Sequence, residues 1–417
     1  MGLRLSRLVG TGLLGLAGFF ACNVYDKSLL EPAPGSGVEP KNGVGWWSKD
    51  DGRGCFSAGV PKADDRPKSD GEGDVGPILL AVETMRLGSV NEQNKVDPNA
   101  WKDIGLDLDG LCTASDTCEL ADLPPSCKPG AAALPRDGNY CRDNTFGRLE
   151  HAAALVPEVS DKYGLSHDKL NCDLCVGHFN FLLRIIGYNG KANDDHIRID
   201  LYPSPGLEKP LPWDCTDPTW RTRPCFQPDY PWTIQADKVT EPRGGPDLPT
   251  SKIADENAYV REGYLFITMP EDTLFWLPGN KGVSVAYPLR IRKGLVSGKI
   301  SRAADGVWHI TDGIIGGRSL GSDMKESFRQ IGFCESTDKE NFDLMTTFID
   351  GNLDILADGR SDPNVPCDAM SIGIAFTALQ AKAGKLEDVA PLVECQQKGD
   401  VDAGADSGDA SGDAATD

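Results

Sequence analysis

The clearest alternation of apolar and polar positions lies at residues 176–202, VGHFNFLLRIIGYNGKANDDHIRIDLY. The run from Phe179 to Tyr188 is rich in Phe, Leu and Ile. From His196 to Tyr202, Ile197, Ile199 and Leu201 alternate with polar residues, as in a strand with one buried face. Asn189-Gly190 between them supplies residues that tolerate positive φ, so the stretch predicts a core β-hairpin. Comparable extended runs follow the same logic: PILLAVETMRLG from Pro77, WKDIGLDLDG from Trp101, YVREGYLFITM from Tyr259, VSVAYPLRIRKGLVSGKIS from Val283 and GVWHITDGIIGG from Gly306.

Helical periodicity is confined to fewer places. Asp143 is placed to cap a helix carrying Phe146, Leu149, Ala153 and Val156 on one face. From Ser322 onward Asp323 and Glu326 suggest a capping box, and residues 366–384 carry Ile372, Phe376, Leu379 and Ala383 at helical spacing, closed by Gly384. Residues 203–257 hold many Pro and Trp with little period and read as a long excursion pinned by disulfides. Together these patterns predict a mainly β fold: a β-sandwich or jelly-roll with disulfide-rich insertions and a C-terminal helical layer over 322–395. The expected organisation is one large domain over 46–395, preceded by a Pro- and Gly-rich tether at 23–45.

Composition sharpens this picture. With 47 Gly and 29 Pro among 417 residues, the chain suits a turn-rich β protein better than a helical bundle. The net charge of −21, without a Lys/Arg cluster, excludes nucleic acid as a partner. Part of that charge is local, because residues 396–417 carry six Asp and one Lys in a low-complexity tail expected to be disordered.

Residues 1–22 have the three-part layout of a secretory signal: Arg4 and Arg7, an apolar run from Leu8 to Phe20, then Ala21-Cys22. The run is well short of the roughly 20 residues that span a bilayer. Two processing routes follow, lipidation at Cys22 or ordinary cleavage after Ala17. Cysteine arithmetic favours the first. Of 13 cysteines, Cys22 would carry lipid and twelve would remain to pair: Cys55, Cys112, Cys118, Cys127, Cys141, Cys172, Cys175, Cys215, Cys225, Cys334, Cys367 and Cys395. Local loops are expected for Cys215 with Cys225 and within the 112/118/127/141 group, while the last three cysteines should pin the helical layer. The compartment implied is the cell envelope, membrane-anchored at the outer membrane or periplasmic face, with a soluble secreted protein as the alternative.

Several stretches, namely the Cys22 region, GCFSAGVPKADDRP at 54–67, GLDLDG at 105–110, CRDNTFGRL at 141–149 and LLRIIGYNGKANDD at 182–195, together resemble a group of envelope lipoproteins from myxobacterial-type genomes. The resemblance spans most of the folded chain and implies an exported, anchored, β-rich protein. It brings no activity with it.

Candidate chemistry is sparse. Asp107, Asp109 and Gly110, with Asp116 beyond, match part of a calcium-loop pattern in which alternate carboxylates face one hard cation; Asp143 and Asn144 would complete an oxygen shell if the cysteine-rich loop folds back. The bland reading is a set of solvated turn acids. Cys172-x2-Cys175 with His178, and His196 as a fourth ligand, spells a redox pair or zinc site, against structural disulfides as the simpler reading. Gly317-Arg318-Ser319-Leu320-Gly321 has the G-x-S-x-G form, but all five histidines precede Ser319, an order that excludes an α/β-hydrolase triad. His309 near Ser319 and acid/base pairs drawn from Asp194, Asp195, Asp312 and Asp323 remain conceivable, with turn and cap roles as the plainer assignments. Trp213, Trp220 and Trp232 offer either a sugar platform or cover for the sheet, the second being preferred. No cofactor is required, calcium is the one metal suggested, and no catalytic residue is assigned. The expected task is structural or binding, toward an envelope glycan, matrix or protein; the alternative is a secreted glycan- or polymer-processing hydrolase.

Overall fold

The hairpin forms where its pattern placed it, with Asn180–Ile186 paired to Asp194–Ser204 and Gly190 at φ 77° in the turn. It is two staves of a larger structure. The computed structural model describes residues 45–50, 55–115, 124–130, 136–154, 166–240, 248–271, 273–277, 287–330, 334–336, 339–389 and 395. The signal, most of the tether, the acidic tail, Cys22, Asp116 and Cys118 lie outside the described residues.

Eight antiparallel strands follow one another around a closed sheet: β1 (Ile78–Arg86), β2 (Asn180–Ile186), β3 (Asp194–Ser204), β4 (Ile253–Arg261), β5 (Tyr264–Thr268), β6 (Tyr287–Arg302), β7 (Trp308–Leu320) and β8 (Ala369–Gln380). The circle closes because β6 pairs with β5 through Leu295↔Thr268 to Lys299↔Tyr264, and β8 pairs with β1 through Ala375↔Arg86 to Gln380↔Leu80. The mainly β, disulfide-rich expectation is met, but the sheet curls into a barrel instead of splitting into the two layers of a sandwich or jelly-roll. Closure removes the exposed edges that an open sheet of this length would present. A short strand, Thr273–Leu277, pairs with the leading half of β6.

An eight-stranded barrel is just wide enough for side chains to fill it. Inward positions at period two supply that filling: Leu80 and Val82 of β1, Leu183 and Ile185 of β2, Ile197 and Ile199 of β3, and Ile372, Ile374 and Phe376 of β8. Four helices occur among the described residues: α1 (Thr145–Ala154), α2 (His167–Val176), α3 (Gly321–Gln330) and α4 (Lys339–Gly351). Leu170 and Leu174 of α2, Met324 and Phe328 of α3, and Phe342 and Ile349 of α4 join the same core. The β1–β2 ladder covers only Ile78–Ala81, and beyond it α2 lies beside β1, where Asn171 accepts from Met85 N and donates to Met85 O, both at 2.8 Å.

Two corrections concern elements. Residues 366–384, expected as a helix, contain β8, so the helical layer ends with α4. Ile372 and Phe376 fit both periods, and the alternate residues Ser371, Gly373 and Ala375 are buried too, because the outer face of β8 is covered. A strand buried on both faces loses the alternation that distinguishes it from a helix. The WKDIGLDLDG stretch is likewise not a ladder strand; it begins as a 3-10 turn, Ala100–Asp103, and makes a single bridge, Leu106↔Asp143.

Two chain segments wrap the outside of the barrel. One is the 203–257 excursion, which lays Phe226, Trp232, Ile234 and Val239 against Leu79, Ala81, Leu182 and Tyr202 on the outer faces of β1–β3. The other is residues 104–108 with Ile355, which cover Ile314 of β7 and Ala369 and Ala375 of β8. Residues 62–75 form a strap across the barrel: Tyr259 Oη donates to Lys62 O (2.9 Å), Arg66 Nη1 and Nη2 donate to Asp195 O and Asn257 O (2.8 and 2.7 Å), and Val75 N donates to Tyr188 O (2.9 Å).

The disulfides bind wraps to barrel. Cys172–Cys215 and Cys175–Cys225 tie α2 to the excursion, Cys127–Cys367 fixes the chain entering β8, Cys112–Cys141 closes the acid-rich wrap and Cys334–Cys395 holds the C-terminal segment. The expected local Cys215–Cys225 loop does not form, because α2 places its two sulfurs opposite the two ends of that loop. Cys127 likewise pairs 240 residues away instead of within its own cluster. Cys55 is disulfide-bonded as well.

A candidate metal centre on the outer wrap

Leu106 and Leu108 in GLDLDG point to the barrel and Asp107 and Asp109 away from it, so the strand-like alternation is real although no strand pairs alongside. The close approach is built on glycine. A Cβ on Gly316 would sit 2.9 Å from Leu106 Cδ1, and one on Gly373 would sit 2.9 Å from Gly105 Cα. Gly105 itself has φ 117° and packs on Asp143 O, a conformation and clearance that a side chain would deny.

With the wrap seated in this way, Asp107, Asp109 and Asp143 converge. One ligand oxygen from each lies within 4.8 Å of the others. Asp107 and Asp143 are only 4% and 3% exposed. Asp107 accepts from Gly110 N at 2.7 Å and from Ser57 Oγ. Asp143 Oδ2 accepts from Leu108 N at 2.6 Å and Asp109 N at 3.3 Å. Asp109 Oδ1 accepts from Leu111 N at 2.8 Å. Asp137 is buried on the Thr113 amide, and Asp354 is saturated by Thr145 Oγ1, Ser371 Oγ and Ser371 N.

Burial pushes Asp107 up to about 7, against the pull of Ser57. Burial also raises Asp109 and Asp354, and drives Asp137 and Asp143 well above the usual carboxylate range, with repulsion from Asp109 adding to it. The main resident counter-charge is Arg318, 5% exposed, which donates Nη2–H to Leu108 O at 2.6 Å and whose field acts on Asp143 and Asp109. Its Nε has no hydrogen-bond partner among the described residues. Several buried carboxylates against Arg318, with Arg148 acting on Asp354 alone of them, leave a surplus of negative charge that either protons or a cation must meet. Hard oxygen donors at this separation fit a calcium ion.

Of the residues the sequence proposed, Asp107, Asp109 and Asp143 therefore meet. Asn144 does not join them. Its Oδ1 accepts from Gly147 N and Gly373 N, both at 2.9 Å, so it caps α1, the role expected of Asp143, and docks that helix on β8. Ser57, Asp137, Arg318 and Asp354 were not foreseen; they come from distant stretches, and no local spacing marks them.

The other candidates separate. The sulfurs of Cys172 and Cys175 are committed to disulfides from a helix, which leaves neither a zinc site nor a free dithiol, and exposed His196 does not approach them. His178 Nδ1 instead bonds Asp173 Oδ1 at 2.7 Å. Ser319 is the next-to-last residue of β7, just before α3, as expected of a strand-to-helix turn, but it is fully buried and its Oγ has no partner among the described residues. His309 lies ten residues back along the same strand, roughly 30 Å at ~3.3 Å per residue. Asp194 receives the Asn189 amide at 2.7 Å inside the hairpin turn, Asp195 bonds Ser69 of the strap, and Asp323 pairs with Arg292 at 3.1 Å. Trp232 is fully buried against Phe226, while Trp213 and Trp220 lie half-buried beneath Arg223 and Arg221.

No protein-family model matches the chain, and the searches against curated proteins and solved structures give no match. Among the described residues no helix is long and apolar enough to cross a membrane.

Proposed function

We propose that this chain is an exported bacterial envelope lipoprotein, held to a membrane through Cys22, whose stapled barrel has a structural or binding role toward an envelope glycan, matrix or protein. The observation that supports it is the state of the cysteines. Eleven of the twelve downstream of Cys22 are disulfide-bonded, and the twelfth, Cys118, lies outside the described residues. Such pairing belongs to an oxidising compartment. The packed interior argues for a displayed outer surface as the working part. The test is the intact mass of the protein from its native host, with thiols alkylated before and after reduction. An acylglyceryl mass on a chain starting at Cys22, with twelve thiols seen only after reduction, is expected; an unlipidated chain starting near Gly18 would overturn the anchor. Release of reducing ends from peptidoglycan or common polysaccharides would instead favour the hydrolase alternative.

A second reading concerns the carboxylates. Asp107, Asp109 and Asp143 hold one calcium ion that fastens the outer wrap, supported by the convergence of the three carboxylates and the surplus of buried negative charge. A ligand bound only by the native state must stabilise it. Calcium should raise Tm and chelation lower it, and Asp109→Asn should remove the response. A Tm indifferent to chelation would eliminate the ion.

A further inference from the structure

Beside the acid-rich wrap, the outer wall of the barrel is indented. The depression has a volume of about 460 Å³ and is lined by Glu83, Thr84 and Arg86 of β1, Asp312 of β7, Thr377 of β8 and Glu92 of the following loop. Two irregularities in the ladder make it. The register shifts between Thr377 and Ala378 where β8 meets β1, and between Ile310 and Gly313 where β7 meets β8. Bulges re-aim side chains, and here they turn groups from three strands toward one hollow. Asp312 takes φ 50° within its bulge, and Gly313 can pass only because it has no side chain, since a Cβ would lie 2.5 Å from Phe376 O.

The chemistry of the lining is mixed and open. Thr84 Oγ1 and Thr377 Oγ1 bond each other at 2.8 Å, and Thr377 donates to Glu83 Oε2 at 3.3 Å, which orients that carboxylate. The Arg86 guanidinium makes no hydrogen bond or ion pair among the described residues; the charges that act on it, Glu92, Asp103 and Asp312, do so from longer range. A guanidinium left uncommitted beside carboxylates that carry no ion pair among the described residues offers a fork for a carboxylate together with acceptors for ammonium groups. Three acids against one arginine set the charge balance at more than one ammonium per carboxylate. The volume falls in the range of small-ligand sites.

We propose that this depression binds a small diamino acid, with its carboxylate on Arg86 and its two ammonium groups among Glu83, Glu92 and Asp312. The site is separate from the carboxylate cluster of the wrap and does not depend on the membrane anchor. The test is calorimetric titration of the purified protein with L-lysine, n-butylamine and propionate. Saturable lysine binding is expected, at least about tenfold tighter than either fragment, which corresponds to the ~1.4 kcal/mol of each decade. Asp312→Asn should weaken lysine by about tenfold, and Arg86→Gln should reduce it to the level of butylamine. Glu92→Gln, at an exposed loop position, should weaken lysine as well. No lysine binding, or butylamine bound as tightly as lysine, would overturn the assignment.

Discussion

The two wraps cover neighbouring faces of one barrel by opposite means. The excursion rests on Trp232 and Phe226, ring against ring at 5.0 Å, and is tied down by two disulfides to α2. The acid-rich wrap seats Leu106 and Leu108 on the barrel but buries Asp107 and Asp143 directly behind them, with Arg318 reaching through to Leu108 O. Apolar attachment is indifferent to pH and ions, whereas attachment through buried carboxylates is conditional on both. One wrap is permanently fastened and the other carries a condition.

The sharpest way to break that contrast is to delete one anchor from each side. Trp232→Ala should destabilise by about 3–5 kcal/mol through lost burial and a cavity, equally at pH 5 and pH 8 in urea unfolding. Arg318→Met should cost a similar ~3–5 kcal/mol at pH 8, where the carboxylates it faces are left uncompensated, and much less near pH 4, where they are protonated. Equal pH dependence in the two variants would erase the distinction.

The wild-type pH profile follows from the same carboxylates. A carboxyl whose pKa is about 7 in the fold and about 3.9 when unfolded binds its proton more tightly in the native state. Its favourable contribution is therefore present at low pH and lost as pH rises from about 4 to about 7, by a few kcal/mol for Asp107. Urea denaturation in a chelator should show that decline, and millimolar calcium should flatten it. A smaller effect isolates the background. Glu150, raised to about 7 by burial and bonded through Oε1 to Ser89 Oγ at 2.9 Å, lies apart from the wrap. Glu150→Gln should add about 1–2 kcal/mol at pH 8, change little at pH 5, and leave any calcium response intact.

The wraps also mark where sequence reading succeeds and stops. Strands β2 to β7 were legible because one face of each carries a period-two apolar pattern bounded by turns. Strand β8 was not, because the acid-rich wrap buries its outer face and fills in the pattern. Barrel closure has no local signature; it is decided by pairing between β1 and β8. The Asp107–Asp109–Asp143 set was legible as alternation plus a fold-back at Cys141, whereas Arg318 stood inside a motif that pointed to other chemistry. Disulfide partners were illegible for the same reason as the closure, since both depend on distance across the fold.

That closure has a temporal consequence. Thr84 meets Thr377 across the seam, 293 residues later in the chain. During synthesis or export, β1 emerges early and must wait for β8 with one edge unsatisfied, a state prone to pairing with the wrong chain. Contacts of such sequence separation close slowly. Folding of this barrel should therefore be limited by arrival of its last stave, and truncation before Ala369 should leave an aggregating chain instead of a smaller domain.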